Sequence, residues 1–159
     1  MKSPIRPVDD EARQLSRQLI EDARFAALAV LQDGAPMVSR VAVGTDQSGG
    51  AISLVSELSH HTKALRDDPR CSLLVGEPGP KGDPLTHPRL TLNCTARFIW
   101  HSGPEFGELR DRYLQTHPKS KLYIDFADFH FVRFDVLEGQ LNGGFGKAFT
   151  LTPQDLEQK

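Results

Sequence analysis

Cysteine is scarce: the chain holds two, Cys71 and Cys94, each inside an apolar, strand-like run. No Cys-x-x-Cys and no Cys/His cluster occurs, which argues against a structural zinc site. The two thiols read as small buried hydrophobes in a reducing compartment, not as a disulfide. Long apolar runs are missing too, since none approaches the roughly 20 residues of a membrane helix. The start, MKSPIRPVDDEARQ, is polar and acidic where a signal peptide turns apolar, so the expected location is the cytoplasm. Charge of one sign is also lacking. A net charge of −2 leaves no global basic field to recruit nucleic acid or an anionic membrane. There is no internal repeat, no low-complexity segment and no linker.

What is present fits one soluble globular domain spanning residues 1–159, with 38% apolar and 25% charged residues. From Asp9 to Arg24, apolar residues at Ala12, Leu15, Leu19, Ile20 and Ala23 predict a helix with one inward stripe. Phe25 to Leu31 is short and apolar on both faces, as a strand buried on two sides is. Asp33-Gly34 signals a hairpin to a partner strand running from Pro36 to Gly44. The turn from Asp46 to Gly50 then leads into a third strand, Ala51 to Ser56. A connector with Ser59 as N-cap and Asp67-Asp68-Pro69 as stop precedes the strand from Arg70 to Val75. Four prolines and two glycines between Glu77 and Pro88 forbid regular structure.

Arg89 to Trp100 alternates, with Leu90, Leu92, Cys94, Ala96, Phe98 and Trp100 on one face. Ser102 and Glu105 have capping-box spacing and predict a helix with Phe106, Leu109 and Tyr113 inward. Phe129 to Leu141 is the last long strand, and residues 143–159 form a tail ending in a helical turn after Pro153. Six strand-like runs joined by hairpins and short helices predict a mainly β fold, an antiparallel barrel with flanking helices. The helix is placed at about 9–24, the barrel at about 25–142 and the tail at 143–159.

Chemistry concentrates in the connector "SELSHHTKALRDD". Ser59 and Thr62 bring hydroxyls and Lys63 and Arg66 bring charge to a helix start, where free N–H groups and the dipole attract anions. A solvated surface helix is the plain alternative. His60 and His61 are adjacent, so they do not share a helix face and no metal site is expected there. Asp83 and His87 offer an acid/base pair within a loop whose plain reading is rigidity. Arg40 lies mid-strand on the face of Val38 and Ala42, either as a surface residue or as a ligand arm. Tyr123, Phe126, Phe129, Phe131 and Phe134 serve core packing or stack on a planar ring. Asn142 to Gly146 is dense in glycine and suits a close backbone approach or a chain reversal.

Taken together, "PMVSRVAV", "VSELSHHTKALRDDPRCSLL", "GDPLTHPRL" and "NGGFG" resemble the pyridoxamine 5′-phosphate oxidase-like FMN-binding split barrels, in particular their heme-utilisation (HugZ-like) branch. The resemblance covers about residues 9–149. It implies a six-stranded antiparallel Greek-key barrel that forms a homodimer with FMN at the subunit interface. It further implies a flavin-dependent oxidoreductase that uses a small-molecule substrate or electron donor, such as a nicotinamide. By that resemblance Arg40 is the second-strand arginine that helps to grip the flavin phosphate. Ser56, Ser59, Thr62 and Lys63 form the phosphate turn, with His61 as an auxiliary donor, and the backbone of Val41 and Ala42 lies along the flavin. Where pyridoxamine phosphate oxidase has an Arg-Lys pair, this chain has Thr62-Lys63. Heme is the alternative cofactor, with His87 or His130 as candidate ligand, and a non-catalytic flavin-binding module is a third reading.

Overall fold

The computed structural model describes residues 4–157, so residues 1–3 and 158–159 of the expected unit lie outside the described residues. In chain order the elements are β1 (Ile5–Arg6), α1 (Asp10–Asp22), β2 (Phe25–Gln32), β3 (Ala35–Ala42), β4 (Gly44–Thr45) and β5 (Ala51–Ser56). There follow α2 (His60–Asp67), β6 (Arg70–Val75), β7 (Arg89–Ile99), α3 (Phe106–Thr116), β8 (Phe129–Asn142), β9 (Ala148–Leu151) and α4 (Pro153–Leu156).

Asp33 (φ 51°) and Gly34 (φ 78°) both take the left-handed conformation that a type I′ turn requires. They close β2 onto β3 with Gln32 opposite Ala35 and Phe25 opposite Ala42. From β3 the sheet runs through β2, β6, β7, β8 and β9 to β1, while β5 pairs with β8 and carries β4. Every pairing is antiparallel except that of β1 with β9. The six strands expected from the sequence are the six longest: β2, β3, β5, β6, β7 and β8. Three short strands join them, including β9 within the expected tail. No ladder joins β3 to β5 among the described residues. The Ser53 hydroxyl bridges that opening, donating to the Ala42 carbonyl at 2.6 Å.

Two cores explain the layout. Inside the barrel, Leu28, Val30, Val41, Leu73, Leu90, Leu92 and Leu141 pack with Ala12 and Ile20 of α1. Each such Val, Leu or Ile contributes about 1.5–3 kcal/mol when fully buried. The second core lies under α3, where Phe106, Leu109 and Tyr113 cover Ile52, Ile99 and Phe131. α1 begins where expected, with the Asp9 carboxylate accepting the Ala12 N–H at 2.8 Å.

Three expectations are corrected. β2 is buried on one face only: Ala26, Leu28 and Val30 are inside, while Phe25 is exposed and Ala27, Ala29 and Leu31 are half-buried on an uncovered outer face. Trp100 is not inward, because Ile99 turns toward the second core and leaves Trp100 exposed and stacked on Phe98, centroids 5.0 Å apart. The Ser102/Glu105 capping box does not form, since α3 starts at Phe106 with no side-chain cap. Glu105 instead accepts from Arg133 Nη1 at 2.6 Å, a charged partner that outcompetes a backbone N–H.

Candidate functional site

The connector folds as its composition demands. Ser59 takes the extended N-cap conformation of α2, but its hydroxyl caps nothing. The first-turn N–H groups of α2 therefore lack the side-chain acceptor that an N-cap serine usually provides. Thr62, on that turn, is fully buried and its hydroxyl has no partner among the described residues. Leaving a buried hydroxyl unpaired costs about 1–3 kcal/mol, so Thr62 Oγ1 is a donor that lacks its acceptor.

Around it, Lys63 is exposed and makes no ion pair among the described residues. His61 is half-buried; burial lowers its pKa, and the neighbouring His60 lowers it further. His60 is exposed. One turn on, the Arg66 guanidinium stands over the Trp100 ring, 5.4 Å from its centroid.

The turn before α2 is tied to β8. The Ser56 hydroxyl donates to Asp128 Oδ2 at 3.4 Å and accepts the Leu58 N–H at 3.2 Å. The Glu57 N–H donates to the Asp128 carbonyl at 2.9 Å. Glu57 Oε1 meets Nε2 of the buried His130 at 2.7 Å.

Arg40 stands elsewhere. On the outer face of β3, opposite Ala27, its guanidinium lies over the Phe25 ring at 5.4 Å. It lines a groove of about 760 Å³ with Phe25, Val38, Leu74 and Pro78. Ser39, whose hydroxyl is buried and unpaired, lines the same groove. None of Ser56, Ser59, His61, Thr62 or Lys63 lines it. Val41 points into the barrel core and Ala42 is half-buried. The candidate residues thus fall into two groups, the start of α2 and the end of β3, where only Arg40 stands on the outer face.

Other candidates have plainer roles. Asp83 and His87 do not pair: the Asp83 carboxylate accepts the Leu85 N–H, while the His87 ring bridges Gly79 N at 3.1 Å and the Lys81 carbonyl at 2.6 Å. His130 likewise uses both ring nitrogens, on His101 N and on Glu57. Neither ring offers a free nitrogen to a heme. Phe131 and Phe134 are core residues, whereas Tyr123 and Phe126 are exposed. No cluster of His, Cys, Asp or Glu able to hold a metal occurs among the described residues. A second cleft of about 660 Å³ is lined by Asp46, Arg97 and Arg133. Sequence reasoning missed Glu57 and Trp100 as parts of the α2 neighbourhood. Glu57 lay in plain view in the connector, but its partner is 73 residues away and no local spacing announces it.

A family model described as "Pyridoxamine 5'-phosphate oxidase" matches residues 12–143. A curated relative, "Non-canonical heme oxygenase HOZ, chloroplastic" of Arabidopsis thaliana, is 35% identical over 119 residues. That match takes in 74% of this chain and 35% of the relative, so the chain spans about a third of the relative's length. Among solved structures, a heme binding protein from Mycobacterium smegmatis is 28% identical with a TM-score of 0.83, covering 96% of this chain and 61% of that one. Campylobacter jejuni ChuZ shares the fold at a TM-score of 0.83 and 20% identity, over 97% of this chain and 64% of its own.

Proposed function

The chain belongs to the pyridoxamine 5′-phosphate oxidase family, in agreement with the heme-utilisation branch that its motifs resemble, and we propose that it binds FMN with the phosphate at the start of α2. The observation that carries this reading is the buried, unpaired Thr62 hydroxyl on a first turn whose serine cap is not made. Phosphate supplies the acceptors that Thr62, Ser59 and the free N–H groups of α2 lack, and Lys63 and His61 flank it as further donors. Ser56 holds the turn from behind.

We assign Arg40 and the backbone of Val41 and Ala42 to the ring end of the same cofactor, Arg40 there instead of on the phosphate, because Arg40 lines a groove separate from the α2 turn. A cation there favours negative charge on the flavin ring. Bound FMN supplies reversible hydride and electron transfer. On this reading the protein is an oxidoreductase that draws electrons from a small-molecule donor of the nicotinamide kind. A second copy of the chain covers the outer sheet face, where Val38 is 67%, Leu137 63% and Leu74 44% exposed.

A heme-binding function is the second reading, favoured by the 35% identity to the Arabidopsis heme oxygenase. With both ring nitrogens of His87, His117 and His130 engaged, the axial ligand falls to His60, His61 or His101. Titration of the purified protein with FMN and with hemin, followed by visible absorption, separates the two. Perturbed flavin bands at micromolar concentrations support the first reading, and a Soret band without flavin binding supports the second. Binding of neither removes both.

A further inference from the structure

Resting on the reading of α2 as a phosphate site, we infer that His130 is a positioning residue of that site, which sets the turn before α2 through Glu57. The His130 ring is buried, and its orientation is fixed by groups outside α2. Nδ1 accepts the His101 backbone N–H at 2.9 Å. A nitrogen that accepts carries no proton, so the ring proton resides on Nε2, which donates to Glu57 Oε1 at 2.7 Å. Trp100 packs edge-on against the ring, centroids 4.9 Å apart, and closes its side.

Glu57 lies two residues before the N-cap Ser59. Its backbone is held by Asp128, but the only hydrogen bond to its carboxylate among the described residues comes from His130. A loose carboxylate at that place lies beside the positive end of α2. It competes with phosphate for the first-turn N–H groups and repels the phosphate charge. By holding Glu57 on β8, His130 keeps the start of α2 open to an outside anion. The ring itself touches no ligand.

The test compares FMN with riboflavin, which has the same ring system and no phosphate. Fluorescence titrations are run on wild type, His130→Ala and His130→Gln. The expectation is that His130→Ala weakens FMN by about tenfold, as for one lost hydrogen bond of ordinary strength, and leaves riboflavin unchanged. His130→Gln keeps an N–H donor for Glu57 and restores most of the loss. If His130→Ala does not fold, His130→Leu fills the space without a donor and carries the same expectation. An alanine variant that binds both flavins like wild type overturns the inference. So does an equal loss on both ligands, which marks general packing. A wild type that does not prefer FMN to riboflavin fails at the earlier step: the phosphate site itself is then absent, and the role of His130 falls with it.

Discussion

Arg133 Nε stands 3.1 Å from Oδ2 of Asp46, joining the middle of β8 to the turn between β4 and β5. Burial pushes the Asp46 carboxyl up, but the hydrogen bonds from Ser48 and Gly50 and the charge of Arg133 outweigh it and hold the pKa below the usual 3.8. A carboxyl depressed in the folded state contributes stability above its unfolded pKa and loses it as pH falls through the folded value. Asp46→Asn is expected to lower the unfolding free energy at neutral pH by about 1–3 kcal/mol. Arg133 keeps Glu105 as a partner, which places the loss in the lower half of that range. The variant also loses part of the acid limb of the stability curve. Urea unfolding across pH checks both, and identical curves for variant and wild type contradict them.

Cys71 faces Cys94 directly across β6 and β7, both thiols free and buried. Burial pushes the Cys71 thiol up to about 12. Cys94 is raised as well, by burial first and then by Cys71 and Asp135. Thiol reagents at about pH 8 are expected to modify the native protein about a thousandfold more slowly than free cysteine, and to react at once in denaturant. Fast labelling in native buffer speaks against this packing.

The uncovered sheet face makes a separate prediction. Val38 is exposed in the single chain, so Val38→Glu should leave folding intact. In a dimer built on that face it places a charge inside the interface. Sedimentation equilibrium is expected to show a dimer for wild type and a much weakened dimer for the variant. A monomeric wild type removes the proposed pairing.

Thr62 separates stability from binding. Thr62→Val keeps the shape and removes the unpaired hydroxyl, so the ligand-free protein is expected to be equally stable or more stable by up to about 1–3 kcal/mol. FMN affinity is expected to fall in the same variant. Thermal denaturation with and without FMN reads both, and a variant that loses stability while keeping affinity contradicts the role given to Thr62.

Much of the fold was legible because its signals are local. Asp33-Gly34 fixes a turn by its own φ angles, and the inward spacing of Phe106, Leu109 and Tyr113 survives in α3. Strand β9 was not legible: its four residues gain their ladder only by lying beside β8. Trp100 was misread because alternation along β7 assumes one core, whereas Ile99 serves a second core beneath α3. At the candidate site the helix start and its donors stood in the sequence. The bond from His130 to Glu57 and the separation of Arg40 from the turn arise only when distant strands are brought together.

The most direct measurement is calorimetric titration of FMN and of riboflavin into the wild type and into Lys63→Ala. A phosphate held at the start of α2 predicts FMN binding at least tenfold tighter than riboflavin, as about 1.5–3 kcal/mol per charge-assisted contact implies. It also predicts that Lys63→Ala narrows that gap while riboflavin stays the same. Equal affinities of the two flavins for the wild type contradict the account.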